Sequence, residues 1–225
     1  VRALTTDQIA AFSTTGVNGL STTQVGALST DQINAFSSTS VAAMSTAQLG
    51  AMSTSQVSAI SAAGVAALTT TQASTLSTDR VAALTSDQVH AISTASVSAM
   101  STAQVASLTT DQVKSLTTEQ VAALETVDLV ELSSNQIQAL AASSVSQMTT
   151  GQVAALKTDQ LNALTTAQVR SLTTAQVVAL GTAQAAALTT AQVAKLTTAQ
   201  VAALETADLA AMSTVLVAAM TTAQA

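Results

Sequence analysis

One histidine, His90, is the only imidazole in this chain, and there is no cysteine to act as a thiolate nucleophile or metal ligand. A Ser–His nucleophile needs its imidazole held by a third group. The sequence around His90 offers no distinctive serine or carboxylate for that role. Two stretches gather acids: Val121 to Leu132 (VAALETVDLVEL), with Glu125, Asp128 and Glu131, and Val201 to Met212 (VAALETADLAAM), with Glu205 and Asp208. Carboxylates in such groups could hold a cation. Calcium, however, takes six to eight oxygens, and two or three carboxylates without a glycine-turn loop are too few. These pairs therefore read as a variant copied by duplication and lying on a solvated edge. No glycine-rich phosphate loop occurs. No catalytic, cofactor-binding or metal-binding residue is expected, no cofactor, and no enzymatic activity.

The hydroxyls and amides are abundant, and their positions are fixed by the repeat that carries them. Cut after every eighth residue, the chain aligns as one continuous array of 28 octads over residues 1–225, with Ala225 opening another. Lettering the octad a to h from Val1, a is Val, Ile or Leu almost everywhere, c is mostly Ala, d is Leu, Met, Ile or Phe, e and f are mostly Ser or Thr, and h is mostly Gln. VAALTTAQ is close to the consensus. A fixed short period of this kind signals a stacked array with no separate domains.

Phe12 and Phe36 are the only aromatics, so Ala, Val, Leu and Met must fill a narrow interior. Six basic residues against twelve acids, net charge −6, cannot build the clustered Lys and Arg that nucleic acid requires. Ser, Thr and Gln interrupt every octad, so no run approaches the length of a membrane span. The first residue is Val1 and no signal peptide is visible, which reads as a segment or mature piece of a longer repetitive polypeptide.

A continuous α-helix does not suit this period, because eight residues overshoot two turns by about 80° and the apolar stripe would spiral away. A strand does not suit the pattern, since neither alternate set is cleanly apolar. The octad does match a short helix restarted in every block. In Leu28-Ser29-Thr30-Asp31-Gln32-Ile33, Ser29 at e is placed to cap the helix and Gln32 at h to bond back to it. Leu28 and Ile33 supply the flanking hydrophobic staple. With Thr at f as well, the cap could also sit one residue later. The acids at g, including Asp7, Asp31, Asp79, Asp87, Asp111, Glu119 and Asp159, fall in the first turn, where the helix dipole favours them. Arg2, Lys114 and Arg170 at b fall near the last turn. Positions a, c and d are expected inside, b and g outside.

The predicted fold is thus an all-α solenoid of very short capped helices, one per octad. Gly16, Ser40 and Gly64 replace the h-position Gln at 24-residue intervals, and Phe12 and Phe36 stand 24 apart. This favours three octads per coil, although a triplicated 24-residue unit would leave the same trace. Ala141, Lys157 and Gly181 at e are expected to lose a cap, and Ala73 and Ala185 at a to leave weak points in the core.

The VAALTTAQ-type octads resemble the long octapeptide-repeat regions of very large bacterial surface or secreted proteins of the adhesin kind. That resemblance implies an extracellular or cell-surface location and no cofactor. Three functional classes follow. A structural fibre, filament or spacer would self-associate end to end or laterally. A binding scaffold would use its Ser/Thr ladder toward ice, a polysaccharide or other carbohydrate. A disordered tract would have neither property, and the 48% hydrophobic content in strict register speaks against it.

Overall fold

The computed structural model describes residues 1–221 and 224; Ala225, the start of a further octad, lies outside them. The described residues contain 27 short helices and no strand. They fall into two compact units, Val1–Leu116 and Thr117–Ala225, each built on the same plan.

The plan begins with the cap. Ser29 is extended (φ −75°, ψ 164°), its hydroxyl accepts the Gln32 N–H at 3.2 Å, and the Gln32 Oε1 accepts the Ser29 N–H at 2.9 Å. The same reciprocal box recurs with Thr at e, as in Thr149 with Gln152. The cap is therefore e, not f. Most helices run from f to b or c, as in Thr22–Gly26 and Thr46–Ala51, and two stop at a, Thr126–Leu129 and Thr190–Val193. In the six-residue helices the following d residue leaves the helical region, as Met52 does (φ −70°, ψ 144°), and the next e stays extended. Two extended residues thus turn the corner. No described residue has a positive φ, so this corner needs neither glycine nor asparagine, and the scarcity of turn residues is explained.

Helices of four to six residues are unstable alone, and within each unit they lie against the third one along. Thr22–Gly26 packs on Thr46–Ala51, and Ala62–Ala66 on Ser86–Ala91. In the second unit, Thr118–Ala123 packs on Ala142–Gln147, and Thr182–Ala187 on Thr206–Ala211. Three octads, 24 residues, therefore make one coil, and residues 24 apart form rows.

The core is made of a, d and h. Apart from the octads near the two ends of the array, the residues at a and d are buried in both units, as in Val57, Ile60, Val153 and Leu156. Burial of each such side chain contributes about 1.5–3 kcal/mol. Position c, expected inside, is only half-buried. Position h is interior instead: Gln48, Gln104, Gln152 and Gln200 are buried. Charge also departs from b and g, because Arg80, Asp128 and Asp208 occupy h.

Departures from consensus are matched by neighbours in the same row. Where Gly16 and Ser40 vacate the h slot, Phe12 and Phe36 replace Leu at d, their rings 6.4 Å apart and inclined at 58°. At Gly64 the slot is filled by neighbours: a Cβ there would stand 2.8 Å from Ile60 Cγ2 and 3.1 Å from Val41 Cγ2. Ala73 and Ala185 are buried, and the residue one coil below each is Leu, at 49 and 161, where Val is usual.

Candidate functional site

The feature that recurs in both units is a ladder of glutamine amides at the corners. A six-residue helix leaves N–H groups without partners at its start and carbonyls without partners at its end. Beyond the first coil of each unit, the h-position Gln side chains serve both kinds of group, on different coils. Gln152 Oε1 accepts the Thr149 N–H at 2.7 Å, at the start of its own helix. Its Nε2 donates to the carbonyls of Val121 (3.1 Å) and Leu124 (2.8 Å), at the end of a helix one coil below. Gln48 does the same toward Val17 and Leu20, and Gln200 toward Val169 and Leu172. The bond to d always spans 28 residues and that to a spans 31.

The substitutions at h show which half of this role matters between coils. Arg80 donates from Nε to the Met52 carbonyl at 2.9 Å and from Nη2 to the Gly50 carbonyl at 2.6 Å. It has no acceptor for the cap N–H, and its Nη1 occupies the Ser77 hydroxyl instead. Ser40 and Ser96 each donate a single bond to the d carbonyl 28 residues back. At e, Lys157 and Gly181 lose the hydroxyl but keep the glutamine half: their N–H groups still donate to Gln160 and Gln184 at 2.9 Å. Ala141 has no side-chain cap bond, and Ser144 at its h position is no glutamine.

The acidic octads take a different form from that expected. Glu125 and Glu205 at e are exposed, as a solvated edge requires, but Asp128 and Asp208 at h are buried. Asp208 accepts the Glu205 N–H through Oδ2 at 3.3 Å, a shorter-armed version of the glutamine contact. Glu131 turns to the Lys157 Nζ, 3.3 Å away, with both side chains half exposed; such pairs add about 0–1 kcal/mol. Among the described residues no three His, Cys, Asp or Glu side chains come together in a way that could hold a metal ion. A shallow groove of about 410 Å³ runs beside Glu125, lined by Leu124, Thr126, Val127, Thr149 and Gln152. Its glutamine amide and the Thr149 hydroxyl are engaged in the cap and the ladder, leaving Glu125 and Thr126 as its free polar groups.

His90 is exposed at the end of its short helix, its Nδ1 2.9 Å from the Ser115 carbonyl, to which it donates. Arg2, also at b, donates from Nε to the Ala27 carbonyl at 3.2 Å. These b-position contacts span 25 residues and tie one coil to the next at the rim. At g, Glu119 has its carboxyl held below the usual carboxylate range, first by its own backbone N–H and then by the Thr118 and Thr117 hydroxyls. That is the first-turn stabilisation expected of an acid at this site. No helix among the described residues is long and apolar enough to cross a membrane.

The octad signature provided the cap and its partner, but not the second use of the glutamine. Its burial could have been suspected from its near-invariance at h, since a surface amide used only for capping has many substitutes.

A search of curated proteins finds no match to this chain. The family model described as the ALTTAQ repeat matches residues 1–38, 41–78, 81–118, 121–158, 153–190, 162–198, 178–206 and 201–225. Those matches run over nearly the full length, and the chain belongs to the ALTTAQ repeat family.

Proposed function

We propose that this protein is a structural element, an extracellular or cell-surface solenoid that acts as a spacer or fibre, and that it is not an enzyme. The observation that carries this reading is the polarity of the coil. Each coil offers amide donors on the side toward the N-terminus and carbonyl acceptors on the side toward the C-terminus, so one coil is the template for the next. Arrays of this kind extend by repetition. Their chemistry is spent internally: the caps and ladder occupy the hydroxyls at e and the amides at h. Absence of cysteine and the resemblance to surface-protein octads support the location.

The same polarity favours self-association. The first octads expose Gln8 and Gln24 with half-buried Leu4, Phe12 and Leu20, whereas Leu209 and Val217 at a are exposed near the other end. Between consecutive coils within each unit, surfaces of these two kinds meet. Sedimentation velocity and electron microscopy of the purified 225-residue chain test this. Species that lengthen with concentration support it, and a monomer at all concentrations refutes it.

A second reading, a binding ladder, has one observation in its favour. Thr6, Thr30, Thr54 and Thr78 at f lie in one row and are exposed, with their hydroxyls outside the caps. An ice- or carbohydrate-facing row would use them. Thermal hysteresis and glycan-array binding test it, and no signal above buffer in either removes it.

A further inference from the structure

We infer that the chain is an extensible element that lengthens coil by coil under axial tension and rewinds on release. The inference goes beyond the spacer reading, which it would equip with compliance, and its mechanics stand on the coil contacts alone.

The basis is the division of labour between backbone and side chains. Within each unit, every backbone–backbone hydrogen bond outside the helix interiors closes over three or four residues, as Val57 N–H to Ser53 and Ile60 N–H to Val57. Among the described residues no backbone ladder joins one coil to the next. Coils are joined by burial of a and d and by side-chain donors, chiefly the glutamine Nε2 bonds spanning 28 and 31 residues. A strand solenoid pulled along its axis loads many backbone bonds together. Here tension reaches one octad at a time, through its own glutamine and its own two apolar residues.

A detached octad does not persist as a folded piece. Its helix has four to six residues, too few to survive without a neighbour. Loss of its stacking therefore releases the full length of that segment. One coil of 24 residues, drawn out at about 3.3–3.6 Å per residue and losing about 8–10 Å of helix-on-helix spacing, gives about 7 nm. Rewinding is fast for the same reason: no contact within a coil or to the next requires closure of a loop much longer than one coil, and short loops close readily.

Optical-tweezers pulling of the 225-residue chain between its ends tests this. The expected record is a low-force plateau whose steps do not exceed about 7 nm, retraced with little hysteresis. Rips of about 35 nm, the contour of a whole unit, would overturn the inference, as would a chain that stays at constant length until the tethers break. Gln152→Leu provides the second arm. It removes one bridge to Val121 and Leu124 and should lower the force of the steps from that coil; unchanged forces at every step would show that the bridges carry no load and would equally overturn the inference. A chain that is monomeric by sedimentation and still lengthens stepwise would refute end-to-end assembly while leaving this result intact.

Discussion

Substitution of Gln152 tests how the coils hold together. Its amide is buried and accepts the Thr149 N–H while donating to the Val121 and Leu124 carbonyls. Gln152→Leu keeps the bulk and removes these three bonds, with a longer one of 3.4 Å to the carbonyl of half-buried Ala122. The Val121 carbonyl retains the Leu124 N–H at 3.3 Å, so two groups are stranded, the Thr149 N–H and the Leu124 carbonyl. Each costs about 1–3 kcal/mol when buried without a partner. The extra apolar surface of leucine offsets about 1–2 kcal/mol, leaving a net loss of about 2–4 kcal/mol. Gln152→Arg follows the precedent of Arg80: it restores the inter-coil donors, loses only the cap acceptor, and should cost about 1 kcal/mol. Gln152→Glu keeps the acceptor but turns a carboxylate toward two carbonyls, and should be the worst of the three at neutral pH, about 3–5 kcal/mol. Burial raises the pKa of that carboxyl above its unfolded value of about 4.3. Its penalty should therefore fade as pH drops through the raised folded value, where the protonated acid can donate. Because an array opens locally, the assay is native-state hydrogen exchange of the Thr149 amide, supported by urea unfolding followed by circular dichroism. The leucine variant should exchange about 30- to 1,000-fold faster there. Unchanged exchange in the leucine variant, or an arginine variant less stable than the leucine one, would refute the two-sided role of the glutamine.

Ala141→Ser should stabilise the second unit by about 1 kcal/mol, seen as a higher urea midpoint, because its helix starts without any side-chain cap. Gly64→Gln restores the consensus and should nonetheless destabilise, since Ile60 and Val41 already fill the slot; calorimetry should show a lower unfolding temperature by several degrees, corresponding to about 1–3 kcal/mol of overpacking. For Glu119, whose folded pKa is depressed, the stabilisation is present above the unfolded carboxylate pKa and lost as pH falls through the folded one. Carboxyl titration by NMR should give a midpoint below the ordinary glutamate value, and Glu119→Gln should flatten that part of the pH–stability curve.

Much of this architecture was legible because one octad carries its own punctuation. Ser29 and Gln32, with Leu28 and Ile33 around them, specify where a helix starts from local sequence alone, and the observed boxes follow them. The three-octad coil was legible only through exceptions: Gly16, Ser40 and Gly64 mark one row because a missing glutamine has to be compensated by a neighbour in space. The glutamine's second role was not legible, since its partners lie 28 and 31 residues away and are backbone carbonyls, which leave no mark in side-chain identity. For the same reason Asp128 and Asp208 read as surface acids until the fold placed h inside. Position c reads as interior from the small size of alanine, yet the fold leaves it half-buried at the rim.

The central claim is that residues 24 apart lie over one another. Because the chain has no cysteine, paired spin labels can be placed at the exposed b positions 154, 162, 170 and 178 of the second unit. Electron paramagnetic resonance of the Ala154→Cys/Val178→Cys pair should give the shortest distance of the set, close to one helix-on-helix spacing of about 8–10 Å plus the label arms. The 154/162 and 154/170 pairs should both be longer, although they are nearer in sequence. Distances that rise steadily with sequence separation would contradict the coil.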